Sequence, residues 1–193
     1  MRHSPMHDDT PKEFDSSTPE RLAQIARARA LTLQYNQLPA DDPAARSQLL
    51  KQLLGSLGSD AYIDTPFHCD YGKNIHVGAN VYIGLNCTFI DNESIHIGDN
   101  TLIASAVSIN TATHPIHVAE RIYPTPERSS NYRTLAAPVH IGKNCWIGAN
   151  ATILPGVTIG DNTTIAAGSV VTKNIPANVL AMGVPCRVAR SLD

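Results

Sequence analysis

Aliphatic residues return at every sixth position through most of this 193-residue chain. The series runs Val77-Gly78, Ile83-Gly84, then after a two-residue slip Ile97-Gly98, Ile103-Ala104 and Ile109. It resumes at Ile141-Gly142, Ile147-Gly148, Ile153, Ile159-Gly160, Ile165-Ala166 and Val171. Small or β-branched residues fill the fourth place after each, among them Cys87, Thr101, Cys145, Ala151 and Ser169. One hexad is a short strand and a turn, and its single aliphatic side chain has nothing to pack on alone. Three hexads close one triangular coil, and stacked coils, rising ~4.8 Å each, bury a continuous column. Twelve hexads lie between Val77 and Val171, and Tyr71-Gly72-Lys73-Asn74 resembles one more. The pattern therefore predicts a mainly β chain folded as a parallel β-helix of about four to five coils. Corners such as Gly98-Asp99-Asn100 and Gly160-Asp161-Asn162 carry residues that tolerate positive φ.

The flanks read differently. Residues 1–17 are polar and aperiodic and are expected to form a flexible tail. Residues 18–60 read as a helical cap. Thr18-Pro19-Glu20 and Asp42-Pro43 are helix starts. The first helix is expected to bury a face of Leu22, Ile25, Ala26, Arg29 and Leu33, and the second Leu49, Leu50, Leu53, Leu54 and Leu57. Such helices would cover an open end of the solenoid, which otherwise leaves strand edges free. Residues 61–193 form the β-helix domain, interrupted by an excursion loop over 112–137.

The excursion is the large break in the beat. Ile109 and Ile141 are 32 residues apart instead of six, and His114-Pro115 stands at its root. A long ordered loop leaning on a rigid wall makes a cleft that a solenoid otherwise lacks. An imidazole there, with the stiff Pro115 behind it, is suited to act as a general base. Taken alone, a loop histidine is more often a hydrogen-bonding surface residue.

Composition narrows the class. Net charge is −2 and no basic cluster exists, so neither nucleic acid nor a membrane surface is an expected partner. No signal-peptide pattern or long apolar span is seen, and four scattered cysteines suit the cytoplasm. Cys87 and Cys145 fall on inward positions and are read as core.

Thr111-Ala112-Thr113-His114-Pro115, Asn144-Cys145-Trp146-Ile147-Gly148, the run Ile153 to Gly160, Val171-Thr172-Lys173 and Gly183-Val184-Pro185-Cys186-Arg187-Val188 together resemble the maltose/galactoside O-acetyltransferases. The nodulation acetyltransferase is a cousin. The resemblance covers roughly residues 18–193 and implies a left-handed β-helix. It implies transfer of acetyl from acetyl-CoA to a carbohydrate hydroxyl, with His114 as catalytic base, no covalent enzyme intermediate and no metal. Acetyl-CoA would be held by Trp146, Ala149, Ala167, Thr172, Lys173, Arg187 and Arg190. The small residues admit the pantetheine, and the cations suit phosphates. Asp70, Asp91 and Asn92, with Asp15 and Ser16, are the expected sugar contacts. A homotrimer with sites between subunits is expected.

Three departures from the family pattern stand out: Gly84 where Asn is usual, the loosely fitting segment Phe14 to Thr18, and the extra residues Ile122 to Pro126. Other readings remain open. The acceptor need not be a sugar. A γ-class carbonic anhydrase would use His76, His96 and His140, which share one register, but its His pair five apart is missing because Cys145 follows His140. A non-catalytic scaffold would not need His114. Serine acetyltransferases carry a much larger helical domain.

Overall fold

The computed structural model describes residues 10–123 and 131–192. The hexads wind into a three-faced parallel β-solenoid. The first face stacks Ser56–Leu57, Ile75–Val77, Ile95–Ile97, Val139–Ile141 and Thr158–Ile159. The second stacks Tyr62–Ile63, Tyr82–Ile83, Leu102–Ile103, Trp146–Ile147, Thr164–Ile165 and Val179–Met182, and Arg187–Ser191 folds back antiparallel on the last of these. The third stacks Phe67–Cys69, Cys87–Ile90, Ser108–Asn110, Thr152–Ile153 and Val170–Val171. These strands make five complete coils and begin a sixth, more than the four to five expected. The extra turns come from the ends: Ser56–Leu57 already pairs with His76-Val77, inside the range assigned to the cap, and Val179–Met182 continues past the last regular hexad.

The core is the predicted column. Ile63, Ile83, Ile103, Ile147 and Ile165 lie in register and are fully buried. Phe67 and Phe89 pack edge to face with centroids 5.2 Å apart, and Cys87 and Cys145 fill corners as expected.

Glycine and asparagine divide the corner work in a way the sequence did not reveal. The positive φ falls on Asn80, Asn100, Asn144 and Asn162, not on the glycine two places before. Their amides link coil to coil, with Asn100 Nδ2 donating to Asn144 Oδ1 at 3.1 Å and Asn144 Nδ2 to Asn162 Oδ1 at 2.9 Å. The glycines serve close approach instead. A Cβ on Gly98 would stand 2.6 Å from the backbone carbon of Gly142.

Two helices sit at the N-terminal end. Thr18 caps Pro19–Gln37 through the Arg21 amide, and Asp42 caps Pro43–Leu53 through the Ala45 amide. The first helix is rotated from its expected face. It buries Ala28, Thr32 and Tyr35, whereas Leu22 is 51% exposed and Leu33 60% exposed. Polar anchoring outweighs the aliphatic stripe. The Tyr35 hydroxyl donates to the Ile63 carbonyl, and the buried Arg46 guanidinium donates to that same carbonyl at 3.0 Å and to the Tyr35 oxygen at 3.1 Å. Asn36 pairs with both the amide and the carbonyl of Phe67, each at 2.9 Å, and so closes part of the first coil's free edge. No helix among the described residues is long and apolar enough to cross a membrane.

The N-terminal segment departs from the expected flexible tail. Residues 1–9 lie outside the described residues, but Lys12–Phe14 is a strand. It pairs antiparallel with Thr134–Ala136, which in turn pairs with Ala112–Thr113. Phe14 anchors it by packing edge to face on Tyr71 at 6.0 Å.

Candidate active site

The excursion leaves the solenoid at the corner between the third and first faces. Ala112–Thr113 and Thr134–Ala136 form its root, and His114 follows directly. The His114 side chain is exposed, with Nδ1 2.8 Å from the Arg133 carbonyl oxygen. A carbonyl only accepts, so Nδ1 carries the proton and Nε2 keeps its lone pair. The Tyr132 ring lies 6.5 Å away, inclined at 62°. The imidazole of the exposed His114 is thus held in one tautomer, and among the described residues its Nε2 makes no hydrogen bond to the protein. Pro124, Thr125 and Pro126, part of the extra loop length, lie outside the described residues.

The slip in the beat is a polar turn packed beneath this root. Glu93 N donates to Thr111 Oγ1 at 2.9 Å, and Thr111 Oγ1 donates to the Ile90 carbonyl at 2.8 Å. Asn74 Nδ2 donates to the Asp91 carbonyl at 2.6 Å. Asp91, expected to touch a sugar, is fully buried. Its Oδ1 accepts from the Asp70 and Tyr71 amides at 3.0 and 2.9 Å, and its Oδ2 is buried without a partner. It binds the chain that presents Asp70 rather than facing out. Asn92 borders a polar cavity of about 330 Å³ with Phe14, Arg21, Tyr71, Asn74 and Glu93. Asp70 is half-buried, and burial raises its carboxyl above the ordinary range while Arg29 partly offsets this. Asp15 turns the chain into the first helix by accepting from the Ser17 amide at 3.0 Å, with Ser16 half-buried beside it.

Burial pushes the Asp91 carboxyl from 3.8 up to about 7, against the lowering effect of its amide donors. The folded chain then holds a proton that the unfolded chain releases near its ordinary value. Stability from this group is full below about pH 4 and falls as pH rises to about 7. Asp91→Asn keeps an oxygen for the two amides and removes that slope. Melting curves from pH 5 to 8 should fall for the native chain and be flatter for the variant; parallel curves would count against a protonated Asp91.

The residues expected at acetyl-CoA cluster elsewhere. Trp146 stands on the second face between Leu102 and Thr164, 54% exposed. Ala149 and Ala167 occupy successive corners, joined by the Gly168 amide donating to the Ala149 carbonyl at 2.9 Å. Thr172 and Lys173 are exposed after Val170–Val171, and Arg187 and Arg190 lie exposed on the terminal strand. Within one chain His114 and Trp146 therefore belong to different sides of the prism. Gly84, where the family has Asn, is packed so that a Cβ would meet the Ser105 amide nitrogen at 2.9 Å.

His76, His96 and His140 stack as their register requires, with centroids 4.6 and 5.0 Å apart and rings nearly parallel. They line a groove of about 620 Å³. Among the described residues no group of three His, Cys, Asp or Glu is arranged to hold a metal ion.

A hexapeptide solenoid with a helical cap at its N-terminal end is the architecture of the hexapeptide-repeat transferases. Three family models match: maltose acetyltransferase hexapeptide capping motif over residues 12–58, hexapeptide repeat of succinyl-transferase over 72–110, and bacterial transferase hexapeptide (six repeats) over 138–173. The galactoside O-acetyltransferase of Escherichia coli (strain K12) is 41% identical over 167 residues, 86% of this chain and 78% of that protein. A galactoside acetyltransferase solved in complex with coenzyme A superposes with a TM-score of 0.88 at 38% identity, covering 94% of this chain and 87% of that one. A maltose O-acetyltransferase from Clostridium difficile 630 gives 0.86 at 38% identity, with 98% and 100% covered. The chain belongs to the maltose/galactoside O-acetyltransferase family.

Proposed function

We propose that this protein transfers an acetyl group from acetyl-CoA to a hydroxyl of a mono-, di- or oligosaccharide. The observation that carries the reading is the His114 imidazole, tied through Nδ1 to the Arg133 carbonyl and free to take a proton at Nε2. Nε2 removes the acceptor hydroxyl proton as that oxygen attacks the thioester carbonyl. The tetrahedral oxyanion collapses, the carbon–sulfur bond breaks, and the imidazolium returns its proton to the CoA thiolate. Transfer is direct in this reading, without a covalent enzyme intermediate, and all four cysteines are buried away from a nucleophile's role.

Ala149 and Ala167 leave room for the pantetheine at two stacked corners, and Thr172, Lys173, Arg187 and Arg190 supply a polar, cationic end for the nucleotide phosphates. Trp146 walls the acetyl site. Asp70 and Asn92 are the sugar contacts, with Asp15 and Ser16 at the margin, and Asp91 acts through the turn it holds. The active assembly is a homotrimer. Tyr62, Tyr82, Leu102 and Trp146 form an exposed apolar stripe on the second face, with Tyr62 and Tyr82 stacked at 6.0 Å. Covering that stripe with a second copy would bring its Trp146 toward the neighbour's His114, which one chain keeps on different sides. Four reduced cysteines fit a cytoplasmic enzyme.

The test is thiol release from acetyl-CoA against a panel of mono-, di- and amino-sugars. Acceptor-dependent release with recovery of an O-acetyl sugar is expected. Release that depends only on amines or on non-sugar alcohols would replace the acceptor class, and no acceptor-dependent release would overturn the reading.

A further inference from the structure

The loop root is braced by a residue that the expected mechanism does not use. The strand Lys12–Phe14 alternates as strands do, so Phe14 points into the small cluster with Tyr71 and Ala136 while Glu13 stays exposed. Glu13 lies opposite Leu135, and Leu135 lies opposite Thr113, the residue before His114. Its carboxylate reaches both arms of the loop. Oε1 accepts from the Tyr123 hydroxyl on the outgoing arm. Oε2 stands 3.8 Å from Arg133 Nε on the returning arm. The Arg133 guanidinium lies over the Tyr123 ring at 5.2 Å. The arms are also bonded to each other, Arg133 N to Arg121 O at 2.7 Å and Tyr123 N to Asn131 O at 3.0 Å. Arg133 is the residue whose carbonyl orients His114.

We propose that Glu13 is a positioning residue for His114: through Tyr123 and Arg133 it sets the carbonyl that holds the imidazole in its Nδ1–H tautomer. The proposal rests on His114 being the base. Its chain of contacts is independent of any substrate. The contacts of Glu13 that bear on the loop are those to Tyr123 and Arg133, and it lies in a segment expected to be a flexible tail. The backbone strand pairing alone fixes the position of Arg133 only in part, because Arg133 lies just beyond the paired residues Thr134–Ala136. The hydrogen bond from the Arg133 amide to the Arg121 carbonyl and the Glu13 carboxylate add to that restraint. The effect of the carboxylate falls on orientation, where a displacement of about 1 Å can cost up to about 100-fold in rate.

Two readouts test this on the full-length protein. In the first, nitrogen NMR of the imidazole of His114 near pH 8 reports which nitrogen carries the proton, without any turnover. The native chain should show Nδ1–H, whereas Glu13→Ala and Tyr123→Phe should each show a mixture of tautomers. In the second, kcat should fall roughly 10-fold to 100-fold in Glu13→Ala with KM for acetyl-CoA unchanged. Tyr123→Phe should lose a similar factor, and the double variant no more than the larger single loss, since both cut one chain of contacts. Glu13→Gln, which keeps an oxygen for the Tyr123 hydroxyl, should restore most of kcat. A native tautomer in both single variants overturns the positioning role, as do additive losses in kcat. An inactive native protein that nonetheless shows the tautomer shift would overturn the acetyltransferase reading and leave the brace standing. Tyr123→Phe keeps the test decisive if Glu13→Ala fails to fold.

Discussion

His114→Ala is expected to abolish nearly all acetyl transfer while leaving the fold intact. General-base contributions of about 10²–10⁴-fold correspond to about 3–5 kcal/mol of transition-state stabilisation. The side chain is exposed and, among the described residues, makes one hydrogen bond, to the Arg133 carbonyl, so its removal opens no core cavity. Melting temperature should therefore change little. Acetyl-CoA affinity, measured by calorimetry, should also persist, because the residues assigned to it lie on other corners of the prism. Loss in kcat with binding retained is the signature of a group that acts on the transferring proton. A variant that turns over at the native rate would remove the base from the mechanism, and one that has lost acetyl-CoA binding would make His114 a binding residue.

Leu102→Glu should convert the proposed homotrimer to inactive monomers. Leu102 lies mid-stripe between Tyr82 and Trp146 and is 43% exposed in the isolated chain, so a carboxylate there is tolerated when it faces water. Buried between copies it would be an unpaired charge, which costs several kcal/mol at each interface. In a threefold ring that cost recurs three times. Sedimentation equilibrium should show a monomer with native circular dichroism, and turnover should fall at least about 100-fold because each site loses the wall supplied by a neighbour. A persisting trimer would move the interface off this face, and a fully active monomer would remove the need for shared sites.

The solenoid was legible because its signal is local and repeated. Each hexad states the same requirement, an aliphatic side chain with nowhere to go but inward, and Ile63 through Ile165 satisfy it in register. The helix caps Thr18 and Asp42 were legible for the same reason, being satisfied within three residues. The face of the first helix was not. Its orientation follows from Tyr35, Arg46 and the Ile63 carbonyl, groups brought together from three separate elements. Likewise Asp91 reads as a surface turn residue until the coil below presents the Asp70 and Tyr71 amides to it.

The sequence by itself determined the scaffold, the place where it is interrupted and the histidine at that interruption. Short-range periodicity and loop length suffice for those. Only the tertiary structure decided which nitrogen of His114 is free, because the Arg133 carbonyl that settles it lies 19 residues away across the loop. It also turned the N-terminal residues from an expected tail into the strand that braces that loop, with Glu13 and Tyr123 meeting across 110 positions. Pairing of that kind depends on which backbone groups and charges the finished coil brings together, and no periodicity along the chain records it.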